Sequence, residues 1–250
     1  MSKTALITGA TSGIGQATAY EFAKHGIRLI LCGRRQSRLD ELKDDLKDQT
    51  DVHCLNFDIR DKQAVEKAIK GLPEEFRVID ILINNAGNAH GFDLIQDGDT
   101  DDWDKMMDIN VKGLLYMSKA VIPQMVSRNS GHIINIGSSA GKEVYPKGNV
   151  YCASKHAVLA ITEGMRIDLN PYDIRVSAIN PGLVETEFSK VRFKGDPIAD
   201  SVYKGYKALQ SEDIAEIIYF TISRPAHVNI ADLLVFPSAQ ANSVTVKKDL

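Results

Sequence analysis

Cysteine is scarce in this 250-residue sequence and follows no pairing pattern. The three residues, Cys32, Cys54 and Cys152, lie far apart and form no C-x-x-C motif. A disulfide framework is therefore excluded, and a reduced, cytoplasmic setting is expected. The six histidines show neither H-x-x-x-H nor H-x-x-E-H spacing, so the sequence predicts no metal site.

Long apolar runs and an excess of one charge are also missing. No run approaches the roughly 18 apolar residues needed to span a bilayer, and no apolar signal segment precedes the first strand pattern. The formal net charge is −3, which gives no electrostatic reason to expect a nucleic-acid or membrane partner. With 44% hydrophobic residues and no linker or low-complexity stretch, the composition predicts one globular domain over residues 1–250.

Short apolar segments alternate with amphipathic ones along the whole chain. The apolar segments read as buried parallel strands and span residues 4–8, 28–32, 52–57, 79–84, 131–137, 175–180 and 232–236. The helical patterns span residues 14–24, 37–47, 62–70, 100–109, 111–127, 150–169 and 212–223. The alternation predicts an α/β fold, a single-domain Rossmann-type doubly wound parallel sheet of about seven strands with helices on both faces.

Glycines in the first turn predict a phosphate-binding site. Residues 8–15 read TGATSGIG, with a strand before and a helix after. Gly9 permits the tight turn, Gly13 lets the backbone approach a pyrophosphate, and Gly15 lets the helix pack closely against the strand. The N–H groups at the helix start would then face the anion. The alternative is a tight turn without a ligand.

The end of the second strand indicates which dinucleotide is bound. An NAD site usually places a carboxylate there for the ribose 2′-hydroxyl, but this sequence has Arg34 and Arg35. Guanidinium groups form paired, charge-assisted bonds to phosphate. Two cations at a helix start are unfavourable unless an anion joins them. The pair therefore favours NADP(H) over NAD(H).

A tyrosine and a lysine at the front of a helical pattern carry the predicted chemistry. Tyr151 and Lys155 lie four residues apart and share one helix face. Free tyrosine is a poor base at neutral pH, and a nearby ammonium favours the phenolate. The pair predicts a general acid/base, Tyr151, whose pKa Lys155 lowers. Ser138 stands at the carboxyl end of the preceding strand, where parallel sheets bind ligands.

With these features in place, the sequence resembles the short-chain dehydrogenase/reductase family over nearly its whole length. The matching motifs are the turn at residues 8–15, Asp58, Asn84-Asn85-Ala86-Gly87, Asn110, Ser138, the Tyr151/Lys155 pair, and Pro181-Gly182 followed by Thr186. The resemblance implies an NADP(H)-dependent oxidoreductase acting on CH–OH groups, and it suggests a homotetramer.

The resemblance also implies a role for each matching residue. Tyr151 would exchange a proton with the substrate oxygen, to which Ser138 would hydrogen-bond. Lys155 would also hold the nicotinamide ribose, and Asn110 would hold a water that relays protons to Lys155. The cofactor-binding residues implied are Gly9, Thr11, Ser12, Gly13, Ile14, Gly15, Arg34, Arg35, Asp58, Ile59, Asn85, Ala86, Gly87, Tyr151, Lys155, Pro181, Gly182, Val184 and Thr186.

Segments 133–138, 149–151, 187–196 and 225–230 resemble the NADP-dependent 3-hydroxy acid dehydrogenases within that family. This implies small 3-hydroxy acids of the serine, L-allo-threonine or 3-hydroxypropionate type, and the matching 3-oxo acids, as substrates. A small acid needs a cation for its carboxylate. Arg192, between Lys190 and Lys194, has the forked guanidinium that suits one. The alternative is a solvated basic loop.

Three other interpretations stay open. Residues 137–141, GSSAG, satisfy G-x-S-x-G with Ser139 as an esterase nucleophile, but the following residues read as a loop where that motif needs a helix. The fold could serve a non-enzymatic NADPH sensor, although such a protein would be expected to have lost Tyr151 or Lys155. The substrate could also be a bulkier ketone or steroid, against which the mixed charged and aromatic segment 191–208 argues.

Overall fold

The computed structural model describes residues 2–249, and within them seven strands form one parallel sheet. The strands are β1 (Thr4–Thr8), β2 (Arg28–Gly33), β3 (Val52–Asn56), β4 (Ile81–Asn84), β5 (Gly131–Ile136), β6 (Ile174–Pro181) and β7 (Asp232–Val235). Strands β1 and β4 are buried at every residue. This explains why their sequences are continuous apolar runs without polar alternation.

Helices connect the strands. In the described range they are α1 (Gly13–Lys24), α2 (Gln36–Leu46), α3 (Lys62–Lys70), α4 (Thr100–Met107), α5 (Leu114–Ser127), α6 (Asn149–Leu169), α7 (Phe188–Arg192) and α8 (Ser211–Ile222). One apolar core includes residues of α1, α2 and α8, and a second includes residues of α3, α5 and α6. The sheet therefore carries helices on both faces.

The order of the strands creates a crevice at one edge of the sheet. The order is β3-β2-β1-β4-β5-β6-β7, so the winding direction reverses between β1 and β4. Connections on either side of this point leave in opposite directions, and ligands of such sheets bind at the carboxyl ends of the strands there. The turn after β1, the segment after β4 and the segment after β5 all meet at this edge.

The predicted fold is confirmed, with two local differences. Each predicted strand and helix is present, and its ends lie within three residues of the predicted ones. The predicted break at Asn110 is instead a wide π-helical stretch, Asp108–Gly113, that joins α4 to α5. The predicted basic loop at residues 190–194 contains the end of α7. In the described range, no helix is long and apolar enough to cross a membrane.

One glycine fixes how closely β5 and β6 approach beside the crevice. Gly137 follows β5, and its N–H donates to the carbonyl oxygen of Ile179 at 2.8 Å. A Cβ atom at position 137 would overlap the Oδ1 atom of Asn180. The sheet holds both Gly137 and Asn180 in place. A side chain at position 137 would therefore push the ends of β5 and β6 apart.

Gly137→Ala is expected to lower the free energy of unfolding by about 1–3 kcal/mol, because the added methyl group overpacks the end of the sheet. The matched control is Gly164→Ala in α6, where a Cβ atom meets nothing within 4 Å. That change is expected to stabilise the helix by about 0.5–1 kcal/mol. Urea unfolding of both variants measures the difference, and equal effects of the two substitutions would contradict the explanation.

Candidate functional site

The turn after β1 has the geometry of an anion cradle. Gly9 and Gly13 have φ angles of +67° and +54°, which favour glycine. A Cβ atom at Gly15 would collide with the carbonyl oxygen of Gly9. Ser12 begins α1 without its side chain capping the first turn, which leaves the N–H groups of that turn available to a ligand. These residues fit the pyrophosphate of a dinucleotide.

The cradle opens into a cleft of about 830 Å³ along the carboxyl edge of the sheet. Every residue predicted from the sequence to bind cofactor or substrate lines this cleft except Gly15 and Asn110. Gly15 lies behind the turn against Gly9, and Asn110 lies behind Lys155 and Gly87. The structure therefore brings residues from positions 9 to 192 together in one cleft. The cradle forms one end of this cleft, and Tyr151 also lines it.

Arg34 and Arg35 reach the predicted adenosine end of the cleft with different partners. Arg34 is exposed and lies 3.4 Å from a carboxylate oxygen of Asp58, which also binds Arg60. Arg35 lies over the cradle, where its Nε and Nη2 donate to the hydroxyl oxygen of Thr11 at 3.1 and 3.0 Å, and Nη2 donates to that of Ser12 at 2.8 Å. Both guanidinium groups stand where a 2′-phosphate would be expected.

The sequence interpretation missed a carboxylate that faces Arg35. Glu187, 152 residues further along the chain, accepts from Arg35 Nη1 at 2.9 Å and from both terminal nitrogens of Arg38 at 2.9 and 3.0 Å. Hydrogen bonds from Arg38 and then Arg35 lower the pKa of Glu187 to about 2. Arg38 lies one helical turn after Arg35. This spacing is the only local feature of the sequence that indicates Arg38 as a second partner of Glu187.

Tyr151 lies buried between an aromatic ring and a cation. The Phe188 ring centroid is 5.6 Å from that of Tyr151, and the guanidinium carbon of Arg192 also lies 5.6 Å from the Tyr151 centroid. Burial raises the pKa of Tyr151 above its ordinary value, and the hydrogen bond with Ser138 and the charge of Arg192 oppose that increase. The phenol is therefore held in its protonated form.

Lys155 is buried as well, and a backbone carbonyl holds its ammonium. Its ammonium donates to the carbonyl oxygen of Ile136 at 2.9 Å, and burial lowers its pKa to about 8. The cation that lowers the pKa of Tyr151 here is Arg192. The expectation that Lys155 also lowers it stays a prediction.

Asn110 lies in the π-helical stretch, and its side chain is already engaged. Its Nδ2 donates to the carbonyl oxygen of Asn88 at 2.9 Å and to the hydroxyl of Ser154 at 3.0 Å, while its Oδ1 accepts from the N–H of Asn88 at 2.8 Å. The Ser154 hydroxyl in turn donates to the carbonyl oxygen of Tyr151 at 2.7 Å. Asn110 thus ties the segment after β4 to the start of α6.

Ser138 and Ser139 are separated by the start of a short turn. Ser138 lines the cleft, and its hydroxyl oxygen accepts from the N–H of Ala140 at 3.1 Å. Ser139 begins a three-residue 3₁₀ turn that leads into a loop, whereas a hydrolase nucleophile elbow leads into a helix. A hydrolase triad would also need a histidine and an acid, for which the sequence offers His227 and either Asp200 or Asp213. His227 is exposed, and Asp213 accepts from the N–H of Gln210 at the start of α8. The interpretation of Ser139 as an esterase nucleophile is therefore wrong.

Arg192 is surrounded by aromatic rings at the wall of the cleft. Its guanidinium carbon lies 4.6 Å from the Phe92 centroid and 5.5 Å from that of Tyr145. Nη1 donates to the hydroxyl of Tyr145 at 2.9 Å, and Nε donates to the carbonyl oxygen of Gly91 at 3.3 Å. Nη2 is buried and has no partner among the described residues. A donor in that state is costly, which indicates a ligand that accepts from it.

The two lysines near Arg192 do not share its position. Lys194 lies 2.7 Å from a carboxylate oxygen of the buried Asp102, and Lys190 is exposed and does not line the cleft. Of the three cations in this basic segment, Arg192 is the one that lines the cleft, and its role as the carboxylate-binding residue stays a prediction. The sequence interpretation missed Tyr145 and Phe92, which hold Arg192 in place.

Comparisons with known proteins agree with this geometry. The family described as short chain dehydrogenase matches residues 3–196. The chain is 46% identical over 238 residues to the NADP-dependent 3-hydroxy acid dehydrogenase of Escherichia coli K12, covering 94% of this chain and 95% of that protein. It is also 46% identical to sulfoacetaldehyde reductase 2 of Chromohalobacter salexigens, covering 96% of each. The closed form of serine dehydrogenase complexed with NADP⁺ has a TM-score of 0.93 at 45% identity, covering 98% of this chain and 100% of that one.

The buried charge of Lys155 predicts an effect on stability that depends on pH. Burial lowers its pKa from 10.5 to about 8, so between these values the unfolded chain binds more protons than the folded one. The stability cost is present in full below pH 8 and disappears as the pH rises through that window. Lys155→Met is expected to stabilise the cofactor-free protein at pH 7 by about 1–3 kcal/mol.

Urea unfolding of wild type and Lys155→Met at several pH values between 7 and 10 measures this difference. The advantage of the variant is expected to shrink as the pH rises. Lys119→Met, at an exposed lysine of α5, is the matched control and should show no such trend. A constant advantage of Lys155→Met over this pH range would contradict the account.

Proposed function

The chain belongs to the short chain dehydrogenase family and is an NADP(H)-dependent oxidoreductase acting on hydroxyl groups; we propose that its substrates are small 3-hydroxy acids and the matching 3-oxo acids. The serine, L-allo-threonine and 3-hydroxypropionate types expected from the sequence fall within this class. The homotetramer and the cytoplasmic location stay predictions.

The observation that carries the proposal is the Arg192 guanidinium beside Tyr151. Its buried, unpartnered Nη2 can donate to an anionic oxygen, and a forked guanidinium suits a carboxylate. The names of the relatives support an anionic substrate, because 3-hydroxy acids, serine and sulfoacetaldehyde all carry a carboxylate or sulfonate near the reacting carbon. An uncharged ketone or steroid leaves this donor without a partner.

Bound NADPH supplies the hydride for the substrate carbonyl carbon. The pKa of Tyr151 is raised by burial, so this residue holds the proton that it gives to the carbonyl oxygen in reduction. Ser138 lines the same part of the cleft and donates its hydroxyl hydrogen to that oxygen. In oxidation the steps reverse, and Tyr151 must first lose its proton. The oxidation rate therefore increases with pH.

The remaining residues bind and orient. The cradle of Gly9, Gly13 and the first turn of α1 holds the pyrophosphate, and Arg34 and Arg35 hold the 2′-phosphate. The Lys155 ammonium faces the cleft near Gly87 and donates to hydroxyl groups of the nicotinamide ribose. Asn110 lies behind Lys155 and positions the segment after β4. It also holds the water that relays protons to Lys155.

Tyr151→Phe tests the acid/base role. Turnover is expected to fall by roughly 10²–10⁴-fold in both directions, because the transferred proton has lost its donor. The NADPH dissociation constant should change little, since the ring and its contacts remain. Steady-state absorbance at the NADPH band and a fluorescence titration measure the two quantities. Tyr172→Phe, at an exposed tyrosine after α6, is the matched control; near-normal turnover of Tyr151→Phe refutes the assignment.

Arg192→Ala tests the substrate class. We expect kcat/KM to fall by roughly tenfold to a hundredfold for a 3-hydroxy acid, the size of a lost charged hydrogen bond. For the uncharged methyl ester of the same acid the expected loss is under about threefold. Tyr145→Phe, which removes one partner of the guanidinium, should give a smaller loss of the same selectivity. Equal losses on the acid and the ester would exclude Arg192 as the carboxylate-binding residue.

A further inference from the structure

The carboxylate of Glu187 binds the guanidinium of Arg35, which the proposed function assigns to the 2′-phosphate. It accepts from Arg35 Nη1 at 2.9 Å and from Arg38 Nη1 and Nη2 at 3.0 and 2.9 Å. All three side chains are roughly two-fifths exposed, so the cluster lies at the mouth of the cleft. The carboxylate compensates the positive charges of Arg35 and Arg38 at the start of α2, where cations are unfavourable.

Arg35 has little donor capacity left for a second anion. A guanidinium carries five N–H donors in a fixed plane. Nε and Nη2 donate to Thr11 and Ser12, and Nη1 donates to Glu187. Among these partners Glu187 is the one with a full negative charge. A phosphate that approaches Arg35 therefore meets both an occupied nitrogen and a like charge.

We propose that Glu187 and the 2′-phosphate compete for the guanidinium of Arg35, so that the charge at position 187 lowers the affinity for NADP(H) and leaves that for NAD(H) nearly unchanged. This rests on the proposed 2′-phosphate site. Glu187 keeps Arg38 as a partner when Arg35 turns to the phosphate, which makes the exchange possible without leaving a bare carboxylate. A cofactor without the phosphate leaves the pair intact.

The competition also concerns the substrate end of the cleft. Glu187 immediately precedes α7, which contains Phe188 against Tyr151 and ends at Arg192. The ion pairs therefore tie the start of α7 to the start of α2. Exchange of Arg35 from Glu187 to a phosphate would remove one of the two arginines that hold this segment.

Glu187→Gln tests the competition, because it keeps the shape and removes the charge. Isothermal titration with NADP⁺ and NAD⁺ is expected to show about three- to fivefold tighter binding of NADP⁺, the size of one exposed ion pair. Binding of NAD⁺ should change by less than about twofold. Glu185→Gln is the matched control, since Glu185 is exposed on the same segment and contacts Gln210 rather than an arginine.

A second variant separates competition from general repulsion. In an Arg35→Ala background Glu187 has nothing to compete for, so adding Glu187→Gln should leave the NADP⁺ dissociation constant unchanged. This double-mutant cycle isolates the coupling between the two residues. An effect of Glu187→Gln that persists in the Arg35→Ala background shows simple charge repulsion and overturns the competition.

The outcomes also distinguish this inference from the function on which it rests. If the wild type binds NAD⁺ as tightly as NADP⁺, the 2′-phosphate site itself is refuted. If the wild type prefers NADP⁺ but Glu187→Gln behaves as Glu185→Gln does, or shifts both cofactors equally, the site stands and the competition is refuted. Unchanged melting temperatures of the variants exclude misfolding as the cause of either result.

Discussion

The reversal of winding between β1 and β4 is the constraint on which the rest of the site depends. Parallel strands place all their carboxyl ends at one edge, and the reversal opens that edge into a crevice. The hydroxyl of Thr8 accepts from the N–H groups of Asn85 and Ala86 at 3.0 Å each. This bond joins the ends of the two strands at the switch point. The turn after β1 and the segment after β4 are thereby held together at the edge of the cleft that Tyr151 and Arg192 also line.

The cations at this edge of the sheet differ in the kind of partner that each one has. The cations Arg35 and Lys194 have carboxylate partners. Next to Tyr151 and the nicotinamide end, Lys155 has a carbonyl partner and Arg192 has a phenol, a carbonyl and aromatic rings. Buried cations without a carboxylate are costly to the fold. A ligand that supplied the missing acceptors would offset this cost, which supports the proposal that Lys155 contacts the ribose and that the half-buried Arg192 contacts the substrate.

The sequence predicted the fold and most of the cleft because their signals are local. Apolar runs of five or six residues, a glycine turn between strand and helix, and Tyr151 four residues before Lys155 are each readable within a short window. The interactions that it did not reveal join distant positions. Arg192 and its partner Tyr145 are 47 residues apart in the chain, and Glu187 and Arg35 are 152 residues apart. No local pattern in a single sequence predicts such pairs. The bond from the Lys155 ammonium to the carbonyl oxygen of Ile136 is a further contact of this kind, because the two residues lie 19 positions apart.

The five-residue helix α7 connects the residue proposed to affect cofactor binding with the residue proposed to bind the substrate. Glu187, which immediately precedes this helix, binds Arg35 and Arg38, and Arg192 at its end carries the donor proposed for the substrate carboxylate. Phe188 lies between them against Tyr151. A helix this short has no stability of its own, so its position is set by its end contacts. The proposed cofactor contact and the proposed substrate contact therefore lie at opposite ends of one short segment, and that segment also packs against Tyr151.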